Sequence, residues 1–156
     1  MSGRRDEDAR GRVLTHAAEE AGRRGDGRIG SEHLLLALLH GPDPLAAQVL
    51  AVDHARLRAA RDGLDRDALA AVGVDIDELP PHVAHGRARL PLTAGARAVL
   101  HRAVTAARAA GARRVTSWHL VLGVLERQPP DPAATLLAAA GVDPAAARRR
   151  LVERAT

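Results

Sequence analysis

Apolar residues recur along this chain at helical rather than alternating spacing. Val13, Leu14, Ala17, Ala18 and Ala21 fall at i, i+1, i+4, i+5 and i+8, one stripe of an amphipathic helix. Val99, Leu100, Ala103, Val104 and Ala107 repeat that stripe 86 residues later. The same offset takes Gly25 to Gly111, Arg28 to Arg114, Ile29 to Val115, Ser31 to Ser117 and His33-Leu34 to His119-Leu120. Leu36 and Leu39 then meet Leu122 and Leu125. From residue 13 to residue 39 the offset gives 11 identities in 27 ungapped pairs, more than shared helix composition accounts for. The chain is an internal duplication.

Each unit divides into the same parts. A long amphipathic helix stops at Gly25 or Gly111, a residue suited to the left-handed position after a helix. A short turn leads to Ser31, or to Thr116-Ser117, as the expected N-cap of a second helix that is apolar nearly all round. Pro42-Asp43-Pro44 and Pro129-Pro130-Asp131-Pro132 end that helix and open a third. In the second unit Gly141-Val142-Asp143-Pro144 turns the chain into a last helix with an Arg-rich end. The first unit is expected to differ. Its third helix runs into Val52-Asp53 without a glycine turn, and residues 65–72 read as an additional short helix. The expected fold is all-α: a pseudo-twofold, duplicated four-helix repeat forming one bundle of eight to nine helices. Repeat one covers about 6–72, a Pro-rich linker 73–91 and repeat two 92–155, within a single domain over 1–156.

Composition narrows the chemistry. The chain has 156 residues, no Lys, Cys, Phe or Tyr, and Trp118 as its one aromatic residue. Lacking Lys, it has no Walker A phosphate loop and no Schiff-base nucleophile. Lacking Cys, it has no disulfide, thiolate or sulfur-bound metal. One aromatic cannot stack a row of bases. The net charge is +4, carried entirely by Arg, with clusters at Arg23-Arg24, Arg113-Arg114 and Arg148-Arg149-Arg150. Acidic residues interrupt the chain throughout, which favours a solvated surface over a nucleic-acid footprint. The N-terminal residues are charged and lead into no apolar run, and no apolar stretch approaches a membrane span. A cytoplasmic protein without membrane association is expected.

These residues resemble a known family. Gly30-Ser31-Glu32-His33-Leu34-Leu35-Leu36-Ala37-Leu38-Leu39 is similar to the Gly-Thr-Glu-His-Ile-Leu-Leu-Gly-Leu stretch of the Clp N-terminal repeat. Leu90-Pro91-Leu92-Thr93, followed by Arg97-Ala98-Val99-Leu100, resembles the start of that family's second repeat, and Glu19-Glu20-Ala21 its first helix. The resemblance spans nearly the whole chain. It implies an all-α substrate- and adaptor-binding domain of the kind that fronts Clp unfoldases, here expected as a stand-alone copy lacking the AAA+ modules. It also implies proteins as partners: Clp ATPase or protease components, adaptors or clients.

Some family members bind phosphoarginine through a Thr early in the first helix and the Glu of Gly-Thr-Glu-His. Carried over by position, repeat one keeps Glu32 but has Glu7 where that Thr would be. Repeat two keeps Thr93 but has Trp118 where that Glu would be. Glu7 would repel a phosphate and Trp118 carries no charge for a guanidinium, so phosphoarginine recognition is disfavoured. Glu32, Trp118, Thr93, Ser31, Ser117 and Glu7 are the candidate protein-binding residues. Trp118 is either an interface anchor or a filler of a core without Phe.

No catalytic, metal or cofactor site is expected. Ser31/His33 and Ser117/His119 recur, but residues two apart on a helix point in different directions, so the histidines read as structural. His82 and His85 lack further ligands for a metal, and Asp75, Asp77 and Glu78 form a solvated acidic turn. The resulting expectation is a non-catalytic protein-binding domain that modulates or feeds Clp proteolysis. The alternative is an Arg-rich helical regulator that binds nucleic acid.

Overall fold

The computed structural model describes residues 8–75 and 90–155. Among them stand eight α-helices in two sets of four. Repeat one contributes α1 (Ala9–Arg23), α2 (Ser31–His40), α3 (Leu45–Leu50) and α4 (His54–Ala71). Repeat two contributes α5 (Ala94–Ala109), α6 (Ser117–Leu125), α7 (Pro132–Ala139) and α8 (Pro144–Glu153). Most of the expected linker, with Asp77, Glu78, His82 and His85, lies outside the described residues, as does Glu7.

Local chemistry explains most of the boundaries. α1 and α5 stop where Gly25 and Gly111 adopt φ of 72° and 67°, a left-handed conformation that costs a glycine little. Asp53, Asp131 and Asp143 cap α4, α7 and α8 by accepting a backbone N–H in the first turn. The turn expected to be missing after α3 is present but lacks its glycine. Ala51 takes φ 55° where Gly141 takes φ 77° in repeat two, and Val52-Asp53 then stands where Val142-Asp143 does. Alanine pays a steric cost in that conformation that glycine avoids.

Two expectations are corrected. Residues 65–72 are not a separate helix but the end of α4, which runs unbroken for 18 residues against 10 in α8. Gly63 is the weakest helix former on the way and does not interrupt it. Of the expected N-caps Thr116 holds, whereas Ser31 and Ser117 do not cap. Gly30 and Thr116 take the extended cap conformation, and the serines are the first residues of their helices.

α2 and α6 form the centre. α2 packs against α1, α3, α4, α5, α6 and α7, and α6 also against α1, α3, α5, α7 and α8. Leu34, Leu35, Leu36, Leu120 and Val121 are at most 1% exposed, within a single apolar cluster drawn from both repeats. Each central helix is thus covered in part by the other repeat. A short parallel bridge also links the repeats: Ile29 N–H donates to the Pro91 carbonyl at 2.8 Å, and Thr93 N–H donates to the Ile29 carbonyl at 2.9 Å.

Candidate functional site

The start of α2 is built from its own side chains. Gly30 N–H donates to His33 Nδ1 at 2.8 Å, so the imidazole caps the helix it belongs to. With Nδ1 accepting, the proton resides on Nε2, which faces Asp26 Oδ2 at 2.9 Å and donates to it. The Glu32 carboxylate folds back over Gly30, where an added Cβ would fall 2.2 Å from Oε2. A side chain at this position would have to push that carboxylate aside.

α4 closes over this turn. Arg61, 8% exposed, brings its Nη2 to 3.2 Å from Asp26 Oδ2 and 3.7 Å from Glu32 Oε1. Arg24 reaches the carboxylates of Asp26, Asp62 and Asp65. Burial pushes the Asp26 carboxyl up, but the His33 hydrogen bond and the charges of His33, Arg61 and Arg24 outweigh it and hold it below its ordinary value. Burial lowers the His33 imidazole; Glu32 and Asp26 oppose the shift, Arg61 adds to it, and the net direction is down. Between α4 and α7 lies a groove lined by Glu32, Arg61, Leu64, Asp65, Pro130 and Thr135. Arg61 Nη1 and Glu32 Oε2 are both buried without a hydrogen-bond partner among the described residues.

Thr93 meets this region from the other repeat, and Ser31 ties it to that repeat. The bridge at Ile29 seats Thr93, the N-cap of α5, alongside the segment that leads into Glu32. The candidate Thr of repeat two thus lies beside the segment that precedes the candidate Glu of repeat one, while its hydroxyl accepts Ala96 N–H as the α5 cap. Ser31 is 1% exposed; its hydroxyl donates to Asp131 Oδ1 at 2.6 Å and accepts Ala133 N–H at 3.1 Å. It fastens α2 to the start of α7 and is not presented to a ligand.

Repeat two uses the equivalent positions differently. His119 Nδ1 accepts Thr116 N–H at 3.0 Å, the same cap as His33, and burial lowers its imidazole. Trp118 stands where Glu32 does, and counting from the matching Asp53 and Asp143 N-caps, Leu151 stands where Arg61 does. The ion pair of repeat one is thus replaced by a hydrogen bond from Trp118 Nε1 to the Leu151 carbonyl at 2.9 Å. Trp118 is half-buried and packs on the core, with its ring edge-on to His119. Ser117 is half-buried and lines a second groove with Asp8, Arg12, Asp43 and Arg114.

The imidazole of His33 turns to Gly30 and Asp26 while the Ser31 hydroxyl turns to Asp131, so they make no nucleophile–base pair. Among the described residues no three His, Asp or Glu side chains are placed to hold a metal ion. Arg61 and Asp26 escaped the reading of the sequence. Arg61 lies 29 residues beyond Glu32, on a helix with little apolar periodicity, and only Leu57, Arg61 and Leu64 at i, i+4 and i+7 mark its inner face.

The family profile described as the Clp repeat (R) N-terminal domain matches residues 8–130 and, overlapping them, 91–156. The chain belongs to this Clp N-terminal family. A chloroplastic chaperone protein ClpC2 of Oryza sativa subsp. japonica is 30% identical over 141 residues, which is 90% of this chain and 14% of that protein. The Clp protease ATP-binding subunit ClpC of Staphylococcus epidermidis is 56% identical over 39 residues, 25% of this chain and 5% of that one. The chain therefore spans a small part of the relatives it matches. In fold it is similar to the N-terminal domain of ClpD from Arabidopsis thaliana, with a TM-score of 0.67, 18% identity and 93% of both chains covered. The Hsp104 N-terminal domain of Candida albicans gives 0.57 at 17% identity, covering 94% of this chain and 88% of that one. Like those Clp N-terminal domains, the chain is all-helical among its described residues, and none of its helices is long and apolar enough to cross a membrane.

Proposed function

We propose that this Clp N-terminal domain recognises proteins without chemistry of its own, and that it feeds or regulates Clp-type proteolysis by engaging a client, an adaptor or the unfoldase. The observation that carries the reading is the groove between α4 and α7, on the seam of the repeats. It pairs apolar walls, Leu64 and Pro130, with a buried acceptor on Glu32 and a buried donor on Arg61 that have no hydrogen-bond partner among the described residues. A peptide side chain or backbone amide meets both requirements at once. Phosphoarginine fits less well, because its guanidinium would have to displace Arg61 from Glu32.

The test is a reconstituted degradation reaction with a ClpC-type unfoldase, its protease, an adaptor and a labelled client, with and without this chain. The expected result is a changed rate of client loss, reduced or abolished by Thr135→Arg, which fills the groove from an exposed position. An unchanged rate, together with no binding to any of the four components, overturns the proposal.

A further inference from the structure

The clamp between first and second helix is built differently in the two repeats. In repeat two, Arg102 of α5 forks onto Glu126, the residue that ends α6, with Nη2 donating to Oε1 at 3.0 Å. The 86-residue offset puts His16 where Arg102 stands and His40 where Glu126 stands. An ion pair joins the helices in repeat two; two imidazoles meet at the same place in repeat one. Their ring centroids are 4.7 Å apart, with the planes inclined at 65°.

A third imidazole continues the series. His54, the first residue of α4, lies 5.4 Å from His40, centroid to centroid. The two outer rings are backed by carboxylates. Glu19 Oε2 is 3.5 Å from His16 Nδ1, and His54 Nε2 donates to Glu20 Oε1 at 3.1 Å. Glu20 is 4% exposed, and Arg58 lies 3.5 Å from its other oxygen. Carboxylates behind an imidazole fix its orientation and raise its basicity, which is the outer shell that metal-binding histidines carry.

We propose that His16 and His40 chelate a divalent, nitrogen-seeking transition-metal ion such as Zn2+ or Ni2+, and that the ion joins α1 to the end of α2 as the Arg102–Glu126 pair joins α5 to α6. With metal–nitrogen bonds of about 2.0–2.1 Å and tetrahedral angles, two imidazoles on one ion have centroids roughly 5 Å apart. The observed spacing is close to that. Because the rings meet edge to face, one of them must turn to aim its nitrogen at the ion. His40 can do so, since it is exposed at the last residue of α2. Water completes the coordination. No third side chain among the described residues is placed to close the site, so binding is reversible and weaker than at a structural zinc site. Imidazole donors disfavour Mg2+ and Ca2+, which take oxygen ligands.

The test is equilibrium metal binding by the full chain without an affinity tag, measured by competition with a chromophoric zinc indicator and by the metal-induced rise in melting temperature. His16→Gln and His40→Gln should each weaken Zn2+ binding by at least about tenfold, because the chelate is reduced to a single donor. His101→Gln, at an exposed position of α5, should change it by less than about twofold. His16→Arg with His40→Glu copies the repeat-two clamp; it should keep the fold, judged by circular dichroism, and lose the metal-induced rise. That variant separates a lost site from a lost fold. Unchanged affinity in both single variants, no uptake of Zn2+ or Ni2+ at millimolar concentration, or Mg2+ bound as tightly as Zn2+ overturns the proposal. So does loss of binding in His82→Gln with His85→Gln alone. Neither His16 nor His40 lines the α4–α7 groove, so the result stands apart from the reading proposed for it.

Discussion

The hydroxyl of Ser31 and the carboxylate of Asp131, 100 residues apart in sequence, share a hydrogen bond of 2.6 Å. Asp131 also caps α7 through Ala133 N–H and receives Arg127 Nε at 3.0 Å, so one buried carboxylate serves both repeats. Either Ser31→Ala or Asp131→Ala should cost about 1–3 kcal/mol, since each leaves a buried partner unsatisfied. The double variant should cost clearly less than the sum. Urea denaturation of the four proteins measures the coupling, and strict additivity would show that the bond contributes nothing.

The two histidine caps set a pH dependence. His33 and His119 both sit below the ordinary imidazole value, His33 by burial with Arg61 adding, His119 by burial. Between those depressed values and about 6.5, the unfolded chain binds protons that the folded chain refuses. Stability is thus complete above about pH 6.5 and is lost as pH falls towards the folded-state values. Protonation also turns Nδ1 from acceptor into donor, facing the N–H groups of Gly30 and Thr116. Melting temperatures from pH 8 to pH 5 should fall for the wild type and stay nearly level for His33→Gln with His119→Gln, where glutamine caps without titrating.

Arg61 is the polar anchor of α4. Arg61→Ala should destabilise repeat one by about 1–3 kcal/mol, less than the 3–5 of a fully buried pair because Asp26 retains contact with water. Combining Glu32→Trp with Arg61→Leu copies the repeat-two arrangement and should recover part of that loss. If it is as unstable as Arg61→Ala, the positional equivalence of the two pairs has no energetic content.

Gly123 marks a close approach of α6 to α5. A Cβ there would lie 2.6 Å from the Val99 carbonyl oxygen, closer than real contacts allow. Gly123→Ala should force α5 away from α6 and cost about 1–3 kcal/mol despite its better helix propensity. Repeat one carries Ala37 at the matching position, fully buried, so a methyl is accommodated between α1 and α2. Chemical denaturation decides the case, and a stabilised Gly123→Ala would refute the close packing.

The duplication, the paired Gly25/Gly111 stops and the proline-led starts of α7 and α8 were legible because each is local and occurs within a few residues. The histidines were legible as structural for the same reason. The length of α4 was misread because Ala70-Ala71-Val72-Gly73-Val74-Asp75 resembles the turn at Gly141, while the true counterpart, Ala51-Val52-Asp53, lacks the glycine. Ser31 was misread because its partner, Asp131, comes from the other repeat. Long-range polar pairs such as Glu32–Arg61 leave no periodic trace, so the site's internal electrostatics had to come from the fold.

The indole brace at the end of α8 has a practical corollary. Trp118 is the chain's one tryptophan, and there is no tyrosine. All intrinsic ultraviolet emission therefore arises where α6 meets α8, with the ring nitrogen held by Leu151. Fluorescence will report the detachment of that single helix and stay silent about α4 and its charge network, whereas circular dichroism averages over every helix. A difference between the two melting curves would show whether the repeats come apart together or one after the other.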